Sequence, residues 1–176
     1  MTSAIPHIPV LTTERLSLGG FTMAHFEAFG EFVQSDRSIP LGGPSDDPRD
    51  AWESCMLHCG QWQARGYGGF WASEVATGRP VGRFSLWHPV WLDAPELSWV
   101  IYAAEDEGKG FATEGAEAVR DWAAREGLPQ LYSLIAKDNT RSAALARRLG
   151  CTPDGEHRYD HGKTVDRWLH PMGGEA

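Results

Sequence analysis

The chain has 176 residues, enough for one compact domain and too few for two independent catalytic ones. Its 41% hydrophobic and 23% charged residues exclude collagen-like, disordered and membrane-embedded classes, and a chain this long builds a core without a disulfide or metal staple. The net charge of -8, from 24 acidic and 16 basic residues, argues against nucleic acid or an anionic membrane as partner and favours an amine-bearing one.

The N-terminal stretch MTSAIPHIPVLTTERL lacks a basic segment followed by an apolar one, so no secretory leader is expected and the default location is cytoplasmic. Leu11 to Leu18 reads as a first strand. Thr22 is a plausible N-cap for a helix that carries Met23, Phe26, Phe29 and Val33 at spacings of three and four. Ser35 to Asp47, with Pro40, Gly42, Gly43 and Pro44, reads as a loop. Asp47 before Pro48 starts a second helix, because the carboxylate accepts free N–H groups and proline tolerates the first helical position. Trp52, Cys55, Met56, Cys59 and Trp62 then form its apolar face. Cys55, His58 and Cys59 read better as buried groups on that face than as metal ligands, and no metal is expected. Three cysteines, an odd number, fit a reducing compartment.

Phe70 to Val75 and Pro80 to Trp87 are strand-like runs joined by a turn at residues 76–79. Glu96 to Ala103 is the strongest strand candidate. It contains most of the longest apolar run, Trp99 to Ala104, whose six residues fall far short of the roughly twenty a membrane span needs. A helix follows from Phe111 to Arg125, with Ala112, Ala116, Val119, Trp122 and Ala123 at helical period and Gly127 to Pro129 stopping it. Leu131 to Ala136 is a further strand. Asn139 caps a helix running to Leu149, which Gly150 ends in a left-handed conformation. Arg158 to Tyr159 and Val165 to Leu169 flank a final hairpin turn. No repeat, low-complexity tract or linker divides the chain, so a single domain over 1–176 is expected, of a mixed α/β class rather than a doubly wound one.

The segment from Glu96 to Glu114 is a strand, a Gly-x-Gly turn at Gly108 to Gly110, and a helix. Such a turn gathers main-chain N–H groups at the positive end of a helix dipole and holds a pyrophosphate with little side-chain charge. It is not a P-loop, because Gly110 follows Lys109 where Ser or Thr would be needed. The ordered set of LTTERLSL at Leu11 to Leu18, ELSW at Glu96 to Trp99, EGKGFATE at Glu107 to Glu114, and NTRS at Asn139 to Ser142 with Leu149 and Gly150 resembles the GCN5-related N-acetyltransferases. Within them it is similar to the RimJ/RimL-like ribosomal-protein type.

The resemblance implies a central mixed sheet, flanked by helices, in which two neighbouring parallel strands splay apart to admit the pantetheine arm of acetyl-CoA. It implies that main-chain groups of Val100, Ile101 and Tyr102 bind the arm. The N–H groups of Gly108, Lys109, Gly110, Phe111, Ala112 and Thr113 would cradle the pyrophosphate. Asn139 and Ser142 would lie near the thioester, and Arg147 or Arg148 would approach the distal phosphate. From Lys137 to Gly150 there are four basic residues and one acidic one, a local excess consistent with phosphate.

Direct acyl transfer to an amine needs a base, an oxyanion donor and a proton for the leaving thiolate. Glu96 is the candidate base. A main-chain N–H within Trp99 to Ile101 is the candidate oxyanion donor. Many relatives carry a tyrosine acid where this chain has Ala146, so Ser142 is the replacement, with Tyr159 a second candidate. Glu107 stands where the family usually has Arg or Gln, and Cys151 where an aromatic is common. His157 and His161 read as hairpin surface residues; Trp87, Trp91 and Trp99 serve either the core or an acceptor cleft. Asp36, Asp46 and Asp47 either attract a cationic acceptor or cap and solvate. The expectation is an acetyl-CoA-dependent N-acetyltransferase acting on a protein N-terminus or a small-molecule amine, with its oligomeric state open, a homodimer included. The alternative is a noncatalytic acyl-CoA-binding sensor or interaction domain, motivated by Ala146 and Glu107.

Overall fold

The computed structural model describes residues 7–173; the reading of the first six residues as free of a leader lies outside them. Eight strands form one sheet in the order β1-β2-β3-β4-β5-β6-β8-β7, antiparallel except where β5 meets β6. The strands are β1 (Leu11–Thr12), β2 (Leu16–Gly19), β3 (Gly69–Glu74), β4 (Pro80–Trp87), β5 (Glu96–Ile101), β6 (Tyr132–Ile135), β7 (Thr152–Arg158) and β8 (Thr164–Leu169). The helices are α1 (Met23–Val33), α2 (Pro48–Arg65), α3 (Phe111–Arg125) and α4 (Thr140–Arg148). This is the expected mixed α/β architecture with helices on both faces.

One core lies between the sheet and α3 with α4, built on Phe70, Phe84, Leu86, Leu97, Phe111, Val119 and Trp122. A smaller one lies beneath α1 and α2, where Phe29, Phe32 and Cys55 meet Val100 and Tyr102. Helix α3 sits so close to the sheet that a Cβ on Gly115 would come within 2.3 Å of the Phe84 ring. Glycine is there because the approach leaves no room for a side chain.

Several elements differ from the sequence expectation. Leu11 to Leu18 is not one strand but the hairpin β1–β2. Thr13 turns the chain, its main-chain N–H donating to Leu16 O (2.9 Å) while its hydroxyl accepts from Leu16 N–H (2.9 Å) and donates to Glu114 Oε1 (2.6 Å). The loop before α2 contains a 3-10 turn at Asp36–Leu41, braced by the buried Ser38 hydroxyl against Val33 O (2.9 Å) and Ser35 O (2.8 Å). Strand β5 ends at Ile101, two residues early, because a second 3-10 turn, Ala104–Asp106, redirects the chain. Strand β7 begins at Thr152, six residues before the expected hairpin strand. It is an edge strand exposed on both faces, so it has no apolar alternation to reveal it. On α2, Cys55 and Trp62 are buried, but Trp52 is exposed at the rim against Phe26 and Phe21. Met23 is likewise exposed, while His25 and Phe32 turn inward on α1. Among the described residues no helix is long and apolar enough to cross a membrane.

Candidate functional site

The parallel pair β5–β6 is joined at a single register position, Glu96 opposite Tyr132. Just beyond it the Ser133 hydroxyl donates to Leu97 O (2.5 Å) across the junction. It accepts from His170 Nε2 (2.9 Å), whose Nδ1 in turn meets the Cys151 thiol (3.3 Å). With the Ser133 proton used on Leu97, the imidazole is the Nε2–H tautomer and the thiol donates to Nδ1. Burial supports both protonation states, pushing His170 down to about 4 and Cys151 up to about 11. Beyond this tie the two strands part.

Antiparallel pairing with β4 decides which main-chain groups of β5 face the gap. Tyr102 N–H donates to Val81 O (2.9 Å), and Val100 lies opposite Arg83. By the alternation of the ladder, Leu97, Trp99 and Ile101 turn their main-chain groups toward β6. Of the three residues expected to hold the pantetheine arm, Ile101 faces the gap, whereas Val100 and the Tyr102 N–H face β4. The Ile101 and Tyr102 carbonyls both accept from Arg37, at 2.8 Å for Ile101.

The glycine turn follows. Gly108 and Gly110 have φ of +76° and +87°, and Gly110 is the N-cap of α3, so this left-handed conformation is what the two glycines make accessible. Gly110 leaves the first N–H groups of α3 without a side-chain cap. Arg15 braces it from behind, donating to Lys109 O (2.8 Å) and to Glu114 (2.7 Å), and packing 4.7 Å from the Phe111 ring centroid. Lys109 points back to the buried Asp106 carboxylate (3.1 Å), which also takes Arg79 (2.6 Å); these hydrogen bonds hold Asp106 below the usual carboxylate range. The Glu107 carboxylate accepts from Arg37 and from Arg141 (2.6 Å).

On α4, Asn139 caps the helix by accepting from Ser142 N–H (3.1 Å), and the Ser142 hydroxyl accepts from Trp99 Nε1 (3.3 Å). Asn139 also lines a cavity of about 280 Å³ with Ile39, Pro40, Ala136, Arg141 and Lys163, between the 3-10 turn ahead of α2 and the β6–α4 junction. Ala146 is fully buried in the main core. Arg148 is exposed at the far end of α4, and Arg147 lies over the Trp168 ring at 5.1 Å.

Glu96 is half-buried where the parallel strands meet. Burial lifts its carboxyl to about 7, offset by a hydrogen bond from Leu134 N–H. Tyr159, in the turn between β7 and β8, feels the Glu96 charge; burial first and that charge second push its hydroxyl up to about 12. His157 and His161 flank the Tyr159 ring at 4.8 and 5.3 Å. The fold thus places Tyr159 within the electrostatic reach of Glu96, 63 residues away in sequence, and joins Asn139, Ser142 and Trp99 in one chain of contacts.

Beneath α2, His58 Nδ1 bonds the buried Ser85 hydroxyl (2.5 Å) and its ring packs on Trp87. Burial keeps it well below its ordinary range. Arg83 is buried beside it, 4.8 Å from the Phe29 centroid, and donates to Ser54 (3.3 Å). Trp91 stands exposed on the β4–β5 connection. Asp47 is used as the α2 N-cap, accepting from Arg49 N–H (2.9 Å). Arg37 and Arg83 escaped sequence reasoning: each is one arginine in an ordinary setting, and only the fold shows what it touches.

Comparison with known proteins follows the same lines. Residues 15–152 match the family model described as an acetyltransferase (GNAT) domain. An acetyltransferase from Agrobacterium tumefaciens superposes with a TM-score of 0.83 at 35% identity, covering 93% of this chain and 95% of that one. The ribosomal L7/L12 α-N-protein acetyltransferase RimL, solved with coenzyme A, shares the fold with a TM-score of 0.71 at 18% identity, over 93% of this chain and 98% of that one. YobR of Bacillus subtilis, an uncharacterized N-acetyltransferase, is 30% identical over 63 residues; the match spans 36% of this chain and 26% of that relative.

Proposed function

Since the chain belongs to the GNAT acetyltransferase family, we propose that it transfers an acetyl group from acetyl-CoA to a primary amine by direct attack on the thioester. The observation that carries the reading is the parallel pair β5–β6, tied at Glu96 and Ser133 and open beyond, leading into the Gly108–Gly110 turn. An extended arm fits along the open strand edge by pairing with its main chain, and a diphosphate fits the uncapped N–H groups of α3. Acetyl-CoA supplies an activated acyl group and a thiolate leaving group.

The chain's own groups then have separate tasks. Glu96 takes the amine proton, for which a carboxyl lifted to about 7 is well matched to neutral pH. A main-chain N–H of Trp99 or Ile101 faces the developing oxyanion. Ser142, whose oxygen already accepts from Trp99, keeps its proton for the leaving thiolate. Tyr159, still protonated at neutral pH, orients the amine from the Glu96 side. The acceptor is an amine on a protein N-terminus or a small molecule, consistent with a protein of net charge -8.

A calorimetric titration with acetyl-CoA, followed by thiol release over an amine panel, tests the reading. Binding with amine-dependent thiol release is expected. Binding without release by any acceptor favours a sensor domain, and no binding overturns both.

A further inference from the structure

The carboxylate at Glu107 heads the turn that would cradle a diphosphate, a place where negative charge is unfavourable. It does not stand alone. Its Oε1 accepts from Arg37 Nε (3.0 Å) and Nη2 (2.6 Å), and its Oε2 accepts from Arg141 Nη1 (2.6 Å). Two guanidinium groups on one carboxylate leave the trio with a net positive charge, so the local sign is the one a phosphate needs.

The two arginines are held differently. Arg37 comes from the 3-10 turn ahead of α2 and is fastened by the Ile101 and Tyr102 carbonyls, with its guanidinium 5.2 Å from the Phe32 ring centroid. Arg141 comes from the first turn of α4, and its side chain is 78% exposed. Glu107 follows β5 and Arg141 follows β6, so their contact bridges the open end of the gap between those strands. An ion pair with one partner this exposed is among the weakest interactions in a protein. A guanidinium on phosphate, with paired N–H donors facing paired oxygens, is among the strongest.

We propose that Arg141 is a ligand of the cofactor's diphosphate, held across the mouth of the β5–β6 gap by Glu107 and passed from carboxylate to phosphate when the cofactor binds. Arg37 stays in place and holds Glu107. This rests on the acetyl-CoA reading above. It also explains how a carboxylate is tolerated at the head of the turn: Glu107 occupies the arginines until phosphate replaces it.

The test is equilibrium binding, by calorimetry, of coenzyme A, dephospho-coenzyme A and pantetheine. Arg141→Ala is expected to raise Kd for the first two about tenfold or more, the loss of a charge-assisted hydrogen bond, and to leave pantetheine unchanged. Glu107→Gln is expected to tighten both phosphate-bearing ligands by freeing Arg141. An equal loss for pantetheine makes Arg141 a structural residue of α4 and overturns the proposal, as does no loss for any ligand. A loss seen with coenzyme A and absent with its dephospho form moves Arg141 to the distal phosphate and overturns the diphosphate assignment. Weaker binding by Glu107→Gln overturns the exchange. Wild-type protein that binds none of the three overturns the cofactor reading itself, an outcome distinct from the others.

Discussion

A free glutamate side chain ionises near pH 4.5, yet at position 96 the same carboxyl is lifted to about 7, because the strand junction removes water from it and supplies only one main-chain N–H in return. A base with that value is half ionised at neutral pH. The kcat/KM of the wild type should therefore rise with pH through about 7, provided the acceptor amine titrates higher. Glu96→Gln should lose that limb and fall about hundredfold, the usual worth of a positioned base; steady-state pH profiles decide it, and an unchanged profile would remove Glu96 from the mechanism. His170 shows the opposite response to burial. Its folded value of about 4 lies below the ordinary histidine value of 6.5, so between those pH values the unfolded chain binds more protons and stability rises with pH. Its contribution is fully present above about 6.5 and is lost as pH falls toward 4. Denaturant midpoints across pH 4 to 7 should show that fall, and His170→Gln should flatten it. Glu96 acts in the reverse sense, losing stability as pH rises from 4.5 toward 7, so the single variants separate the two.

Among the elements, α3 carries the tightest steric demands. Its N-cap, Gly110, is in the left-handed region, and its second turn rests on Phe84 through Gly115. The methyl group of an alanine at 115 would lie 2.3 Å from that ring, which is fully buried in the main core and has close-packed neighbours on its other sides. Gly115→Ala should destabilise by about 1–3 kcal/mol through overpacking, read as a lowered denaturant midpoint. Because α3 also presents the glycine turn, the same variant should weaken coenzyme A binding; an unchanged midpoint would mean that α3 is free to shift. The limits of α3, α2 and α4 were legible in sequence because each carries a local device: Gly110, Asp47 with Pro48, and Asn139 with its acceptance from Ser142 N–H. The hairpin β1–β2 and the edge strand β7 were not. Thr13 makes its turn through a hydroxyl that any strand tolerates, and β7 is held by pairing with β8 rather than by an apolar face.

At the level of the whole molecule, a sheet of eight strands is interrupted at one place, and that place collects the candidate chemistry. The chain is acidic overall, while the Lys137 to Gly150 segment is basic, so the charge is divided unevenly along it. That division was readable from residue counts, and the mixed class and the glycine turn from local pattern, while the candidates Glu96, Asn139 and Ser142 came from the family resemblance of the segments that hold them. Local sequence carries these because capping, turn formation and helical periodicity depend on residues a few positions apart. The position of the gap, the side of β5 that opens into it and the pairing of Glu107 with Arg37 and Arg141 depend on register and on contacts 34 to 70 residues apart. A one-residue change of register turns a strand's groups to the other side, and the energy that selects the register comes from the packed core as a whole. Sequence by itself therefore determined which groups are available for the chemistry, and only the tertiary structure decided which of them meet.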